Sequence, residues 1–184
     1  MPKKINVEKF LEINENRNNI LKIRRLTGLI GMKNEIYSCD VNRPGMALFR
    51  YFQDFAFERI QIFGKGEGNY VVTLDKENKT DIFEEMLSYK IPICIFTYGL
   101  VPPESFIEIA KNNNICVLVT ELPTNEFVLS MQNLIEEEFL ESFRVHGGLV
   151  EVFGVGILIL GKSGVGKSEA TLELIYKGHR LIAD

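Results

Sequence analysis

The residues with the clearest chemistry lie between Gly161 and Ser168, where the sequence reads GKSGVGKS. This run fits the phosphate-binding pattern G-x-x-x-x-G-K-[ST] at every fixed position. Glycines at these points let successive backbone N–H groups converge on phosphate oxygens, because no Cβ blocks the approach. The pattern predicts that Lys167 reaches the β- and γ-phosphates of a bound ligand and that the Ser168 hydroxyl ligates Mg²⁺. The predicted phosphate-binding residues are Gly161, Lys162, Ser163, Gly164, Val165, Gly166, Lys167 and Ser168.

A loop of this kind works only between a strand and a helix, so its flanks decide how much the pattern means. The apolar run 156–160 predicts a strand, and 168–176 predicts an amphipathic helix. The amino end of that helix would add roughly half a positive charge facing the anion. Because the pattern and both flanks agree, we prefer a phosphate-binding loop (P-loop) to a glycine-rich surface turn that binds nothing.

The elements before the loop predict an α/β fold, because strands and helices alternate as in βαβ units. We expect a small N-terminal domain with a mostly parallel sheet over residues 1–130, a linker helix at 131–142 and the start of a P-loop domain at 143–184. The linker belongs to a helix predicted over 125–139. Residues 144–160 are predicted to be rich in strand, with Gly154 and Gly156 marking a turn or bulge between two extended runs. The other predicted helices are 6–13, 46–57, 81–89 and 104–112, and the other predicted strands are 20–26, 58–63, 71–74, 93–97 and 115–119.

Composition narrows the class of partner. The chain has 184 residues, 46% of them hydrophobic, and a net charge of −4, which argues against a nucleic-acid partner. No apolar stretch reaches the roughly 18 residues that span a bilayer, so no membrane association is predicted. Cys39, Cys94 and Cys116 form no C-x-x-C pair, which argues against a zinc site or a disulfide framework and favours a reducing, cytoplasmic setting.

The segment from Val145 to Asp184, VHGGLVEVFGVGILILGKSGVGKSEATLELIYKGHRLIAD, resembles the signature region of the bacterial HPr kinase/phosphorylase family. Residues 40–45, 58–61 and 99–103 resemble that family's N-terminal domain, so the likeness covers most of the chain. The resemblance implies a two-domain, hexameric enzyme that uses Mg²⁺ with ATP or pyrophosphate. Such an enzyme phosphorylates a serine of the phosphocarrier HPr and removes that phosphate with inorganic phosphate, which regulates carbohydrate metabolism.

The resemblance also implies roles for single residues. His146 matches an active-site histidine, whereas the residues alone leave open whether it is an ordinary strand residue. Lys167 matches the family's P-loop lysine and is expected to be catalytic, and Ser168 matches a metal-binding serine. His179 is expected to be structural. Asp184 matches the first of two consecutive aspartates, the second of which is the family's general base. We therefore expect an incomplete kinase domain that is inactive toward HPr by itself.

Two alternatives remain open at this point. Asn78 to Asp81 reads NKTD and matches N-K-x-D, the guanine-reading motif of GTPases, here placed before the P-loop as in a circularly permuted GTPase. A polar turn at the start of a helix explains the same residues, and we favour turn formers for Asp40, Asn42 and Arg43 as well. The second alternative is that residues 1–130 form a binding or assembly module without catalysis.

Overall fold

A computed structural model describes residues 3–140 and 146–183. The chain divides into two compact units, Met1–Leu140 and Glu141–Asp184. Within the described residues, no helix is both long enough and apolar enough to cross a membrane.

The first unit is a mixed α/β structure. Its helices are α1 (Val7–Asn16), α2 (Gly45–Leu48), α3 (Lys65–Lys76), α4 (Asp81–Leu87), α5 (Glu104–Asn112) and α6 (Thr124–Phe139). Its strands are β1 (Ile5–Asn6), β2 (Ile23–Arg25), β3 (Glu35–Ile36), β4 (Val41–Asn42), β5 (Ile60–Phe63), β6 (Ile93–Phe96) and β7 (Cys116–Thr120). The strands β1 and β3 form a separate antiparallel pair.

Five strands form the central sheet in the order β2-β7-β6-β5-β4. The neighbours β4–β5, β5–β6 and β6–β7 are parallel, and only the edge strand β2 runs antiparallel to its neighbour. The predicted α/β class with a mostly parallel sheet is therefore confirmed. Strands β5, β6 and β7 are buried along their whole length, as expected for a sheet with both faces covered.

Side chains alternate between the two faces of the sheet, and each face has its own core. On one face, Ile62, Ile95 and Leu118 pack in the same cluster as residues of α1 and α6. On the other face, Phe63 and Phe96 join residues of α2, α3, α4 and α5. The rings of Phe63 and Phe96 are stacked with their centroids 4.3 Å apart. The first unit is thus three layers, helices on both sides of one sheet.

Two predicted elements differ in the structure. The strand expected at 71–74 is wrong, because these residues belong to helix α3 and bury only Val71 and Leu74, three positions apart. The helix expected over 46–57 ends at Leu48, and Arg50 has a left-handed backbone with φ of 62°. The chain after it is irregular, and its aromatic rings pack around Tyr89 instead of along a helix stripe.

Helix α6 covers most of the region where a linker helix is expected. Its buried side chains are Phe127, Met131 and Ile135, which lie in the core shared with α1. The helix ends at Phe139, so the first compact unit extends past residue 130. The expected limits of the domains stay a prediction, and residues 141–145 and 184 lie outside the described residues.

The second unit contains β8 (Gly147–Val152), β9 (Val155–Leu160), α7 (Lys167–Tyr176) and β10 (Arg180–Ala183). Its sheet has the order β10-β8-β9, and both pairings are antiparallel. Phe153 and Gly154 form a two-residue hairpin turn with φ of 49° and 80°, which confirms the turn predicted at Gly154. Positive φ at both positions suits the right-handed twist of the flanking strands.

Candidate functional site

The predicted P-loop joins β9 to α7, as the chemistry requires. Strand β9 ends at Leu160 and the helix begins at Lys167, so the loop occupies the six residues between them. Gly166 is the residue before the first turn of α7. The backbone N–H groups of that first turn have no partner within the helix, which makes this end of α7 suited to an anion.

Three positions of the loop require glycine, and the structural reason is not the same at each. Gly164 and Gly166 have φ of 82° and 92°, a left-handed conformation that glycine adopts without strain. Gly161 has no such φ, but a Cβ there would lie 2.9 Å from Cγ2 of Val165. Side chains at these positions would therefore distort the loop, either through its backbone angles or through the packing of Val165.

Lys167 is the residue of the loop whose side chain has defined partners. Its Nζ donates to the carbonyl oxygens of Gly161 and Lys162, at 2.7 Å and 2.9 Å. These two bonds bring the ammonium back across the loop from the helix to the end of the strand. A positive charge held there lies where the phosphates of a nucleotide would be cradled.

The β8–β9 hairpin places His146 beside the P-loop, although 14 residues separate His146 from Gly161 in the sequence. The last pair of the ladder joins Gly147 to Leu160. The next residue on one side is His146 and on the other is Gly161, so the two are neighbours at the same end of the hairpin. His146 is exposed. The structure therefore brings His146 and Lys167 to the same end of the second unit.

Gly148 and Thr171 form a close contact that the sequence reasoning missed. A Cβ on Gly148 would lie only 2.3 Å from Oγ1 of Thr171, the only described buried side-chain polar atom without a hydrogen-bond partner. Thr171 lies one helical turn after Lys167, and its side chain faces β8. The paired glycines after His146 are the signal that could have revealed this close packing.

Ser168, the predicted Mg²⁺ ligand, lies in the first turn of α7 and is exposed. A hydroxyl oxygen is a hard ligand that suits Mg²⁺, which takes few protein ligands and completes its shell with phosphates and water. Ser168 therefore fits the metal expected from the P-loop pattern. Among the described residues, no group of three or more His, Cys, Asp or Glu side chains is placed to hold a metal by itself.

Among the other residues singled out from the sequence, Asp40, Asn42 and Arg43 lie in the first unit and His179 lies in the second. Asn42 donates through Nδ2 to Oε1 of Gln61 at 2.8 Å, and Arg43 pairs with Glu67 at 2.6 Å. His179, in the second unit, has its ring edge-on to Phe153, with centroids 5.1 Å apart. These contacts are structural, and none of them involves the P-loop.

The N-K-x-D alternative is not supported by the placement of its residues. Asn78 follows helix α3, not a strand, and has a left-handed φ of 56°. Asp81 begins α4 and is bonded to Arg50. A guanine-reading motif normally follows its strand directly, so the placement of these residues favours the polar turn at a helix start over the permuted GTPase.

Comparisons with family models and with curated proteins both find HPr kinases. The family model described as the HPr Serine kinase N terminus matches residues 5–135, and the one described as the HPr Serine kinase C-terminal domain matches residues 137–184. An HPr kinase/phosphorylase of Treponema pallidum (strain Nichols) is 42% identical over 95% of this chain and 55% of its own length. One from Leptospira biflexa serovar Patoc is 41% identical over 89% of this chain and 51% of its own.

The chain thus spans about half the length of the curated relatives it matches. Among solved structures, the CBS and DRTGG domains of a Clostridium perfringens pyrophosphatase, complexed with diadenosine tetraphosphate, are similar at 21% identity with a TM-score of 0.45. That match covers 72% of this chain and 50% of the other.

Proposed function

The chain belongs to the HPr kinase/phosphorylase family, and we propose that its second unit holds the phosphoryl donor of such an enzyme. The donor is ATP or pyrophosphate, and the acceptor is a serine of HPr. The reverse reaction removes that phosphate with inorganic phosphate. The complete protein would act in the cytoplasm as a homohexamer and regulate carbohydrate metabolism.

The observation that carries the proposal is the geometry of the P-loop. A strand ends at Leu160 and a helix starts at Lys167, and between them Gly164 and Gly166 have the left-handed angles that turn the backbone around an anion. The Nζ of Lys167 is directed back across this loop by its bonds to Gly161 and Lys162. Strand, loop, helix and lysine together make an arrangement suited to phosphates.

The residues have different tasks in this proposal. The loop N–H groups and α7 bind the phosphates, and Lys167 stabilises the charge that develops on the transferring group. His146, which ends the hairpin next to Gly161, donates a hydrogen bond or balances charge there. When bound at Ser168, Mg²⁺ supplies charge neutralisation to the phosphates.

Equilibrium binding of ATP with Mg²⁺ tests the proposal, with Lys177→Ala as a matched control. Both lysines carry the same charge, but the Lys167 side chain is bonded across the loop, whereas Lys177 lies at the opposite end of α7 with an exposed side chain. Removing one preorganised donor costs about 3–4 kcal/mol in the transition state, so Lys167→Ala should weaken ATP binding and abolish both directions of the reaction in the complete protein. Lys177→Ala should leave ATP binding within about threefold of wild type, as expected for a surface change.

His146→Ala sharpens the assignment of roles. This variant should keep measurable ATP binding, because the loop and Lys167 hold the phosphates, but its turnover should be slower. The P-loop interpretation is wrong if His146→Ala loses ATP binding while Lys167→Ala keeps both binding and activity.

The inactivity expected of the 184 residues alone remains a prediction. A phosphoserine assay with purified HPr tests it, and phosphorylation above a control without enzyme would contradict it. The first unit as an assembly module is compatible with this proposal, because both of its hydrophobic cores are built from residues of that unit.

A further inference from the structure

We propose that Gly148 is a positioning residue, which sets how closely the P-loop helix α7 lies against strand β8. This inference rests on the proposed function, because it concerns the geometry of the same phosphate site. It adds a residue to which neither the P-loop pattern nor the family resemblance assigned a role.

Gly148 lies directly against the side chain of Thr171. A Cβ on Gly148 would lie 2.3 Å from Oγ1, 3.2 Å from Cγ2 and 3.3 Å from Cβ of Thr171. Separations below 3.0 Å are essentially never seen for a real Cβ, so something would have to shift. Rotation of the Thr171 side chain would move Oγ1 but not its Cβ, and because 3.3 Å is also a tight approach, we expect the helix and the strand to separate slightly. Thr171 is the buried residue of α7, which makes it the point where the helix rests on the sheet.

Helix α7 connects the contact between Gly148 and Thr171 to the P-loop. Thr171 lies four residues after Lys167, so both are on the same side of α7, one turn apart. A displacement of Thr171 away from β8 would move the start of the helix, and with it Lys167 and Ser168. His146, two residues before Gly148, would stay with the strand. The separation between the two halves of the candidate site therefore depends on this contact.

The other glycines of the hairpin differ from Gly148 in what a Cβ would meet. Gly147 also lacks space, because a Cβ there would lie 2.4 Å from the carbonyl oxygen of Ile159, but that clash is within the hairpin. Gly156, on the partner strand, has room, since its Cβ would meet only Cδ1 of Leu149 at 4.0 Å. Gly156→Ala is consequently a matched control, a glycine-to-alanine change in the same hairpin without a clash.

The test uses steady-state kinetics of the complete protein at a temperature where each variant is folded. A misplacement of about 1 Å can cost on the order of 10²-fold in rate, so Gly148→Ala should lower kcat by about that factor. Gly156→Ala should leave kcat within about threefold of wild type, as expected for a surface change. Thermal unfolding of each variant separates a displaced helix from a protein that no longer folds.

A second-site change makes the proposal falsifiable even if Gly148→Ala folds poorly. Thr171→Ala removes the two atoms nearest to the new Cβ and leaves only the Cβ–Cβ approach of 3.3 Å. The double variant Gly148→Ala/Thr171→Ala should therefore regain most of the lost kcat, although a second mutation at an unrelated site would only add to the damage. Thr171→Val, which keeps the shape of the side chain and loses its hydroxyl, should have the kcat of wild type.

The outcomes separate this inference from the proposed function. Wild-type kcat in Gly148→Ala, or failure of Thr171→Ala to restore activity, would overturn the positioning role. If instead Lys167→Ala does not affect ATP binding or turnover, the proposed function fails, whatever Gly148 does. A normal kcat with a raised KM in Gly148→Ala would also contradict the proposal, because that split indicates weaker ground-state binding and not misplaced reacting groups.

Discussion

The two units of this chain use apolar strands in opposite ways. In the first unit, Leu118 on β7 is fully buried, and helices cover both faces of the sheet. In the second, Leu158 on β9 is 48% exposed, and Leu160 is 54% exposed. The first unit is therefore held together by side-chain packing, whereas the geometry of the second near the P-loop depends on backbone constraints.

Those backbone constraints are local. The turn at Phe153 and Gly154 fixes the hairpin, and the left-handed angles of Gly164 and Gly166 shape the loop. Gly148 has no side chain, which lets Thr171 of α7 pack closely against β8. The residues predicted to do chemistry thus lie in the unit with the smaller core. Their placement relies on glycine more than on burial.

The largest expected difference between the units is in the cost of truncating a leucine. Leu118→Ala should lower the free energy of unfolding of the first unit by about 2–5 kcal/mol, because it leaves a cavity in a packed core. Leu158→Ala should cost about 1 kcal/mol or less, since half of that side chain is already in water. Native-state hydrogen exchange read by mass spectrometry reports each unit separately. Equal losses would remove the contrast between the two units.

Thiol labelling gives a second measure of the same contrast. Burial raises the pKa of Cys116 to about 12 and raises that of Cys94 further, so both are protonated and shielded at pH 8. They should be labelled only on denaturation, while the half-buried Cys39 is labelled in native buffer and faster as pH rises and its thiolate fraction grows.

A cysteine introduced as Leu158→Cys, in a Cys39→Ser background, extends this measurement to the second unit. We expect it to be labelled in native buffer, in contrast to Cys94, because residue 158 is about half exposed. Rapid native labelling of Cys94 and Cys116 would show that the strands of the first unit are wrongly assigned.

The smallest expected effect concerns nucleotide use by the first unit. Asn78→Gly should change stability by less than about 1 kcal/mol, because glycine also adopts the left-handed backbone at this position. Thermal-shift titrations with ATP and with GTP should give the same shifts for Asn78→Gly as for wild type. A selective loss of the GTP response would revive the guanine-reading alternative and assign nucleotide binding to both units.

Strong local patterns made much of the fold predictable. The amphipathic run at 104–112 and the apolar strand near 115–119 are present as α5 and β7, because periodicity and burial agree there. Helix α3 was missed because Gly66 and Gly68 have low helix propensity and the short apolar run at 71–74 looks like a strand. Its helical form follows from packing on β5 and β6, which a local pattern does not contain.

In the candidate site, too, features set by the local sequence could be predicted, and features set by tertiary packing could not. The P-loop could be read directly from its spacing, because each fixed residue has its own local task. The nearness of His146 to Gly161 could not, since it depends on the register of β8 and β9. The contact between Gly148 and Thr171 joins residues 23 positions apart and requires the placement of a helix on a sheet.

The two-residue turn at Phe153 and Gly154 fixes the register of the β8–β9 hairpin, so the number of residues in each strand decides which residues lie side by side. Six residues on each side are paired without a slip, from Val152 with Val155 to Gly147 with Leu160. A deletion or insertion of one residue on either strand would therefore shift the register by one residue and turn the following side chains to the opposite face. The length of this segment is consequently as much a part of the site as the identity of its residues, and homologues that keep the chemistry should keep the number of residues between His146 and Gly161.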